Sequence, residues 1–142
     1  MGLKIKNTFN VARVKRELLQ PMAKKLNSEL LDAAAEIVQR TLSGRDMRGG
    51  EFRQYAPMTK RKKIAEGKQS DPVNLTETGQ MLKSIKTTVQ TLANSLVGRI
   101  FFTGGGASTK ASKHMQGAGV PKREFFGLSK EQVEKIRKGL KK

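Results

Sequence analysis

The stretch from Val11 to Leu42 constrains this chain more than any other. Val11, Val14, Leu18, Met22, Leu26, Leu30, Ala33, Ala34 and Ile37 recur at three- and four-residue steps, the period of one buried helix face. Leu19, Leu31 and Val38 widen the stripe, and Asn7, Thr8 or Asn10 can cap its start. Pro21 interrupts it. A proline removes a backbone donor and crowds the preceding turn, so a kink or break is expected near Gln20. Gly44 after Ser43 is a C-terminal stop. The stripe reads as a core helix, with a heptad-type partner helix as the alternative.

That helix needs something to pack on. Ile85, Thr87, Val89 and Thr91 alternate with Lys86, Thr88 and Gln90, a strand rich in β-branched residues. Asn94-Ser95 reads as a turn, and Leu96-Val97-Gly98-Arg99-Ile100-Phe101-Phe102 as the partner strand. Apolar on both sides apart from Gly98 and Arg99, that strand is expected to be central in the sheet or covered by a second subunit. Leu3-Lys4-Ile5-Lys6 alternates apolar and basic residues, which marks a short edge strand. Ahead of the hairpin, Thr76 or Thr78 can cap a short helix, Gly79 permits close packing, and Met81, Leu82 and Ile85 fall on one side of it. The fold class is therefore α+β: a long kinked N-terminal helix on a small antiparallel sheet, with short helices and a C-terminal helix. One domain over residues 1–142 is expected.

The segment at about 44–74 is read as a protruding polar loop, because its glycines and charges bury little. Phe52 and Tyr55 stand out there, since a surface loop seldom carries two aromatics without docking them. Thr59 can cap a short helix over Lys60-Arg61-Lys62-Lys63-Ile64-Ala65-Glu66, stopped by Gly67. Its first-turn cations oppose the helix dipole, so they serve either a solvated face or an external anion.

Thr103-Gly104-Gly105-Gly106-Ala107-Ser108-Thr109-Lys110 lacks the spacing of a phosphate-binding P-loop and reads as a flexible loop. Ser108 can start a helix through His114, Met115 and Gln116 that Gly117 stops. His114 has no Asp, Cys or second His near it in sequence, so it is expected at a packing or subunit contact. Val120-Pro121-Lys122-Arg123-Glu124-Phe125-Phe126-Gly127-Leu128 is extended and aromatic, which suggests a further edge strand. Ser129 and Gln132 form a capping box for a basic C-terminal helix at about 129–142, with Val133, Ile136 and Leu140 as its apolar stripe.

Charge narrows the function classes. Lys and Arg number 29 against 12 Asp and Glu, a net +17, which points to an anionic partner. No basic segment is interleaved with aromatics as a base-stacking surface would be. With no cysteine and one histidine, neither a disulfide nor a metal site is expected, and no cofactor. No nucleophile–base pair suggests itself, so no enzyme is expected. The start has no apolar signal core and no run approaches membrane-spanning length, so a protein made in the cytoplasm and without a membrane partner is expected.

Four features occur in order: the long helix ending in Gly44-Arg45-Asp46; the Phe52…Tyr55…Lys60-Arg61-Lys62-Lys63 loop; Leu75-Thr76-Glu77-Thr78-Gly79-Gln80-Met81-Leu82-Lys83-Ser84-Ile85; and His114-Met115-Gln116-Gly117 followed by Pro121-Lys122-Arg123-Glu124-Phe125-Phe126-Gly127-Leu128-Ser129. Together they resemble the phage virion-morphogenesis family of tail-completion proteins, over nearly the whole chain. The Gly-rich 103–112 segment is longer and looser than that pattern. The resemblance implies a non-enzymatic virion protein at the head–tail junction, or neck. It would be a connector ring of six subunits around a DNA channel, touching other neck and tail proteins and DNA without reading its sequence. On that reading Phe52, Tyr55, Val97, Phe101, His114, Phe125 and Phe126 are the candidate subunit or partner contacts. Arg45, Arg48, Lys60, Arg61, Lys62, Lys63, Lys138, Lys141 and Lys142 would face DNA or an acidic partner. The competing class is a general basic nucleic-acid-binding protein, ribosomal or nucleoid-like, which would hold free DNA or RNA in a strongly salt-dependent way.

Overall fold

The structure, a computed structural model, describes residues 2–8, 16–68, 70–71, 73, 75, 80–92 and 95–141. Its elements in order are β1 (Gly2–Thr8), α1 (Arg16–Leu42), α2 (Pro57–Ala65), α3 (Gln80–Lys83), β2 (Ile85–Leu92), β3 (Ser95–Phe102), α4 (Gly105–Gln116) and α5 (Lys130–Lys141). The class is α+β. Val11, Val14, Thr76, Thr78, Gly79, Lys142 and the side chains of Leu18, Leu19 and Lys141 lie outside the described residues.

The strands form one antiparallel sheet in the order β1-β3-β2. β3 is central because it is apolar on both faces, and the edges go to strands that alternate. Leu3 and Ile5 pack toward the core, whereas Lys4 and Lys6 are exposed.

α1 lies across β2 and β3. Leu26, Leu30, Ile37, Leu96 and Ile100 are fully buried where they meet. Gly98 permits this approach, since a Cβ there would lie 2.5 Å from Leu30 Cδ1 and 3.3 Å from Leu26 Cδ2. Leu31 does not widen the stripe: it is 54 % exposed. Of the kink or break expected near Gln20, no break occurs, because α1 is continuous from Arg16 with Pro21 inside it. In the second turn, the missing N–H removes one backbone bond near the helix start, where tertiary packing downstream carries the helix. The helix ends as the sequence suggests. Gly44 takes φ +78°, its N–H donates to Thr41 O (3.0 Å), and Arg45 N–H donates to Arg40 O (3.0 Å), a Schellman stop.

Three other boundaries differ from expectation. α2 begins at Pro57 with Ala56 at the N-cap, so Thr59 is not its cap. Proline suits the first helical position because the N–H it lacks has no helical partner there. α4 begins at Gly105 rather than Ser108, with Gly104 at φ +84° before it, and stops at Gly117 as expected. Ile85 opens β2, as its alternation suggests, and lies outside α3, which ends at Lys83. Residues 120–128 are in no strand; β1 holds the edge beside β3. Leu75 sits at φ +56°, a conformation that costs an L-residue about 1–2 kcal/mol, and its side chain is buried in the core.

Candidate functional site

The segment 120–128 is a packed strap. Phe125 and Phe126 are 0 % and 1 % exposed. They meet Phe102 with ring centroids 6.2 and 4.6 Å away, in edge-on and tilted geometries. His114 stands edge-on to Phe125 at 6.4 Å. Burial pushes the His114 pKa below its ordinary value, and the Arg123 charge adds to this.

Two arginines fasten the strap. Arg40, in the last turn of α1, donates from Nη2 to Phe125 O (2.9 Å) and Gly127 O (3.0 Å) and from Nη1 to Gln132 Oε1 (3.3 Å). Burial lowers its pKa, while Asp46 and Glu36 pull it upward. Arg123 is 3 % exposed and donates from Nε to Arg53 O (3.0 Å) and from Nη2 to Gln54 O (3.3 Å). Neither residue stood out by type. The available signal for Arg40 was its position one turn beyond Ile37, a cation on the buried stripe.

The polar loop is tied to this strap. Asp46 Oδ1 accepts from Arg48 N–H (2.8 Å) and Gly50 N–H (2.9 Å), closing a tight turn. Met47 N–H donates to Glu124 O (2.8 Å), and Arg48 Nη1 to Glu124 Oε2 (2.7 Å). Lys122 also reaches Glu124, at 2.9 Å; the two cations hold that carboxyl below its usual range, Lys122 first. Both loop aromatics dock. Phe52 is 5 % exposed, and the Tyr55 ring receives Lys63 Nζ at 4.8 Å and Arg123 Cζ at 5.0 Å.

These placements revise the candidate contacts. Phe52, Val97, Phe125 and Phe126 are buried within the protomer, so none of them offers a partner its side chain. His114, Tyr55 and Phe101 are half-buried. Lys63 is 4 % exposed and stacks on Tyr55, so it faces neither DNA nor an acidic partner. Arg45 donates to Gly49 O within its own turn, and Arg48 is paired with Glu124. Arg61, Lys62 and Lys138 are exposed and Lys60 is half-exposed. On α2, Met58 and Ile64 are 82 % and 62 % exposed beside these cations. Sequence reasoning missed that pair because two apolar residues six apart make no stripe.

Among the described residues no three His, Cys, Asp or Glu side chains gather as a metal site, and no helix is long and apolar enough to cross a membrane. Fold and surface thus define a small basic α+β protein with a strapped aromatic core and one outlying cationic helix. The chain belongs to the phage virion morphogenesis family, whose family model matches residues 3–142. No curated protein and no solved structure matches it.

Proposed function

We propose that this protein is a structural component of a tailed-phage virion. It completes the tail at the head–tail junction as a closed ring, six copies around the DNA channel, and neither makes nor breaks a covalent bond. Membership of the phage virion morphogenesis family supports the virion role. The observation that carries the assembly reading is α2. It exposes Met58 and Ile64 next to Arg61 and Lys62, on a helix with no side-chain cap and no acid in its first turn. Met58 and Ile64 lie on different sides of α2 with Arg61 between them, so a neighbouring protomer or tail protein that covers this helix meets exposed apolar and cationic side chains together. Lys60, Arg61 and Lys62 then lie where a phosphate backbone can pass, contacts that hold DNA without reading bases.

Light scattering on the purified protein tests the ring, together with mass spectrometry of infectious particles. The expected results are a species of six 15.7 kDa protomers and a constant copy number per particle. A protomer that stays monomeric at all concentrations and is absent from mature particles overturns the proposal. Tight, steeply salt-dependent binding of free duplex DNA by the monomer would favour the general nucleic-acid-binding class instead.

A further inference from the structure

β1 is an edge strand, and no described residue hydrogen-bonds to the edge it turns away from β3. Beside it lies a cleft of about 620 Å³. Its lining is mostly apolar, with Met115, Leu128, Val133 and Leu140 facing Leu3 and Ile5. The charged residues in that lining are Lys4, Lys6 and Arg137, and no acid is among them. Arg99 stands directly opposite Lys4 in the ladder, a like-charge cross-strand pair. None of the three strands contains an Asp or Glu.

A strand laid along β1 shares its pleat, so its side chains alternate between two environments. One set lies over the apolar cleft, and the other lies beside Lys4 and Lys6. We propose that this edge takes an extended segment of a different polypeptide in which apolar and acidic residues alternate, adding a fourth strand to the sheet. Edge lysines also discourage unwanted pairing, and that role leaves the apolar cleft unexplained. A second copy of this chain does not fit. Pairing β1 with β1 sets lysine rows side by side, and no two of the chain's 12 acids are two residues apart. A nucleic acid would leave the apolar wall unused. The inference is independent of the ring, so either can fail alone.

The test uses the full-length protein and a labelled peptide of about eight residues, a natural strand length, alternating valine and glutamate. A valine–lysine peptide serves as the control. Binding is read by fluorescence anisotropy, and hydrogen exchange reports the Gly2–Thr8 amides. The proposal expects the acidic peptide to bind and to slow exchange in β1, and the basic one not to bind. Reversing both lysines (Lys4→Glu with Lys6→Glu) should weaken binding about tenfold, as loss of two ion pairs implies. Arg137→Glu, on α5 and outside the sheet, should weaken it by a smaller factor. Equal binding of the two peptides, or undiminished binding by both variants, overturns the proposal. So does slowed β1 exchange caused by a second copy of the chain or by duplex DNA in place of the peptide.

Discussion

α2 and α5 are both short, both strongly basic, and attached in opposite ways. α5 opens on a reciprocal cap: Gln132 N–H donates to Ser129 Oγ (3.1 Å), and Ser129 N–H to Gln132 Oε1 (2.9 Å). The Gln132 amide Nε2 and Lys135 Nζ then both reach Glu36 on α1, at 3.0 and 3.2 Å. That contact raises the Lys135 pKa. Ile136 is 2 % exposed, and a Cβ on Gly139 would meet Glu29 Oε1 at 2.4 Å. α2 has none of this. Its N-cap is Ala56, its acid is Glu66 just past the end, and its large apolar residues point outward. It is held through Lys63 on Tyr55, and its own C-terminus closes with Lys68 N–H donating to Lys63 O (2.7 Å). Counting cations therefore says little about where an anion binds. On α5 Glu36 of α1 answers Lys135, whereas on α2 Lys62 is answered by Glu66 at the helix's own end and Lys63 by the Tyr55 ring.

The sharpest way to break that contrast is at Arg40, which joins α1 to both the strap and α5. Arg40→Ala strands two carbonyls and a capping glutamine, and should cost on the order of 3 kcal/mol in denaturant unfolding. A loss below about 1 kcal/mol would mean that water replaces the guanidinium. Next come the caps. Ser129→Ala should cost about 1 kcal/mol, while Thr59→Ala, which removes no cap, should be neutral within about 0.5 kcal/mol. Similar losses at the two sites would remove the asymmetry. His114 gives a smaller, pH-dependent effect. Its folded pKa lies below the unfolded value near 6.5, so its contribution is complete above that pH and is lost as pH falls toward the folded pKa. His114→Gln should flatten the stability profile as pH falls below about 6.5. The smallest change in stability belongs to α2: Met58→Ser with Ile64→Ser should leave unfolding within about 0.5 kcal/mol of the parent.

What was readable in the sequence divides along the same line. The three strands, the Gly44 and Gly117 stops and the Ser129–Gln132 box are set by local pattern, and all are found. Extended aromatic residues after a proline fit a strand and a strap equally well, so the sequence suggests a strand where the structure has the strap. Its backbone partners are a distant guanidinium, the loop and the last turn of α4 rather than a neighbouring ladder, and no local pattern encodes those. The role of Lys63 is hidden for a similar reason. In a run of four cations nothing marks the one that stacks on Tyr55 eight residues earlier. Pro57 lies inside the 44–74 segment read as loop, yet a proline suits a first helical position, and there it starts α2. The motifs behind the phage virion-morphogenesis resemblance are spread over nearly the whole chain, and the family model matches residues 3–142.

The central claim is that α2 is built for a neighbour in the particle. Supplying a phage that lacks this protein with the Met58→Asp, Ile64→Asp variant, and counting joined and unjoined heads and tails by electron microscopy, tests it most directly. The account predicts a folded variant protein with heads and tails left separate. Joined, infectious particles at the parent's yield would contradict it.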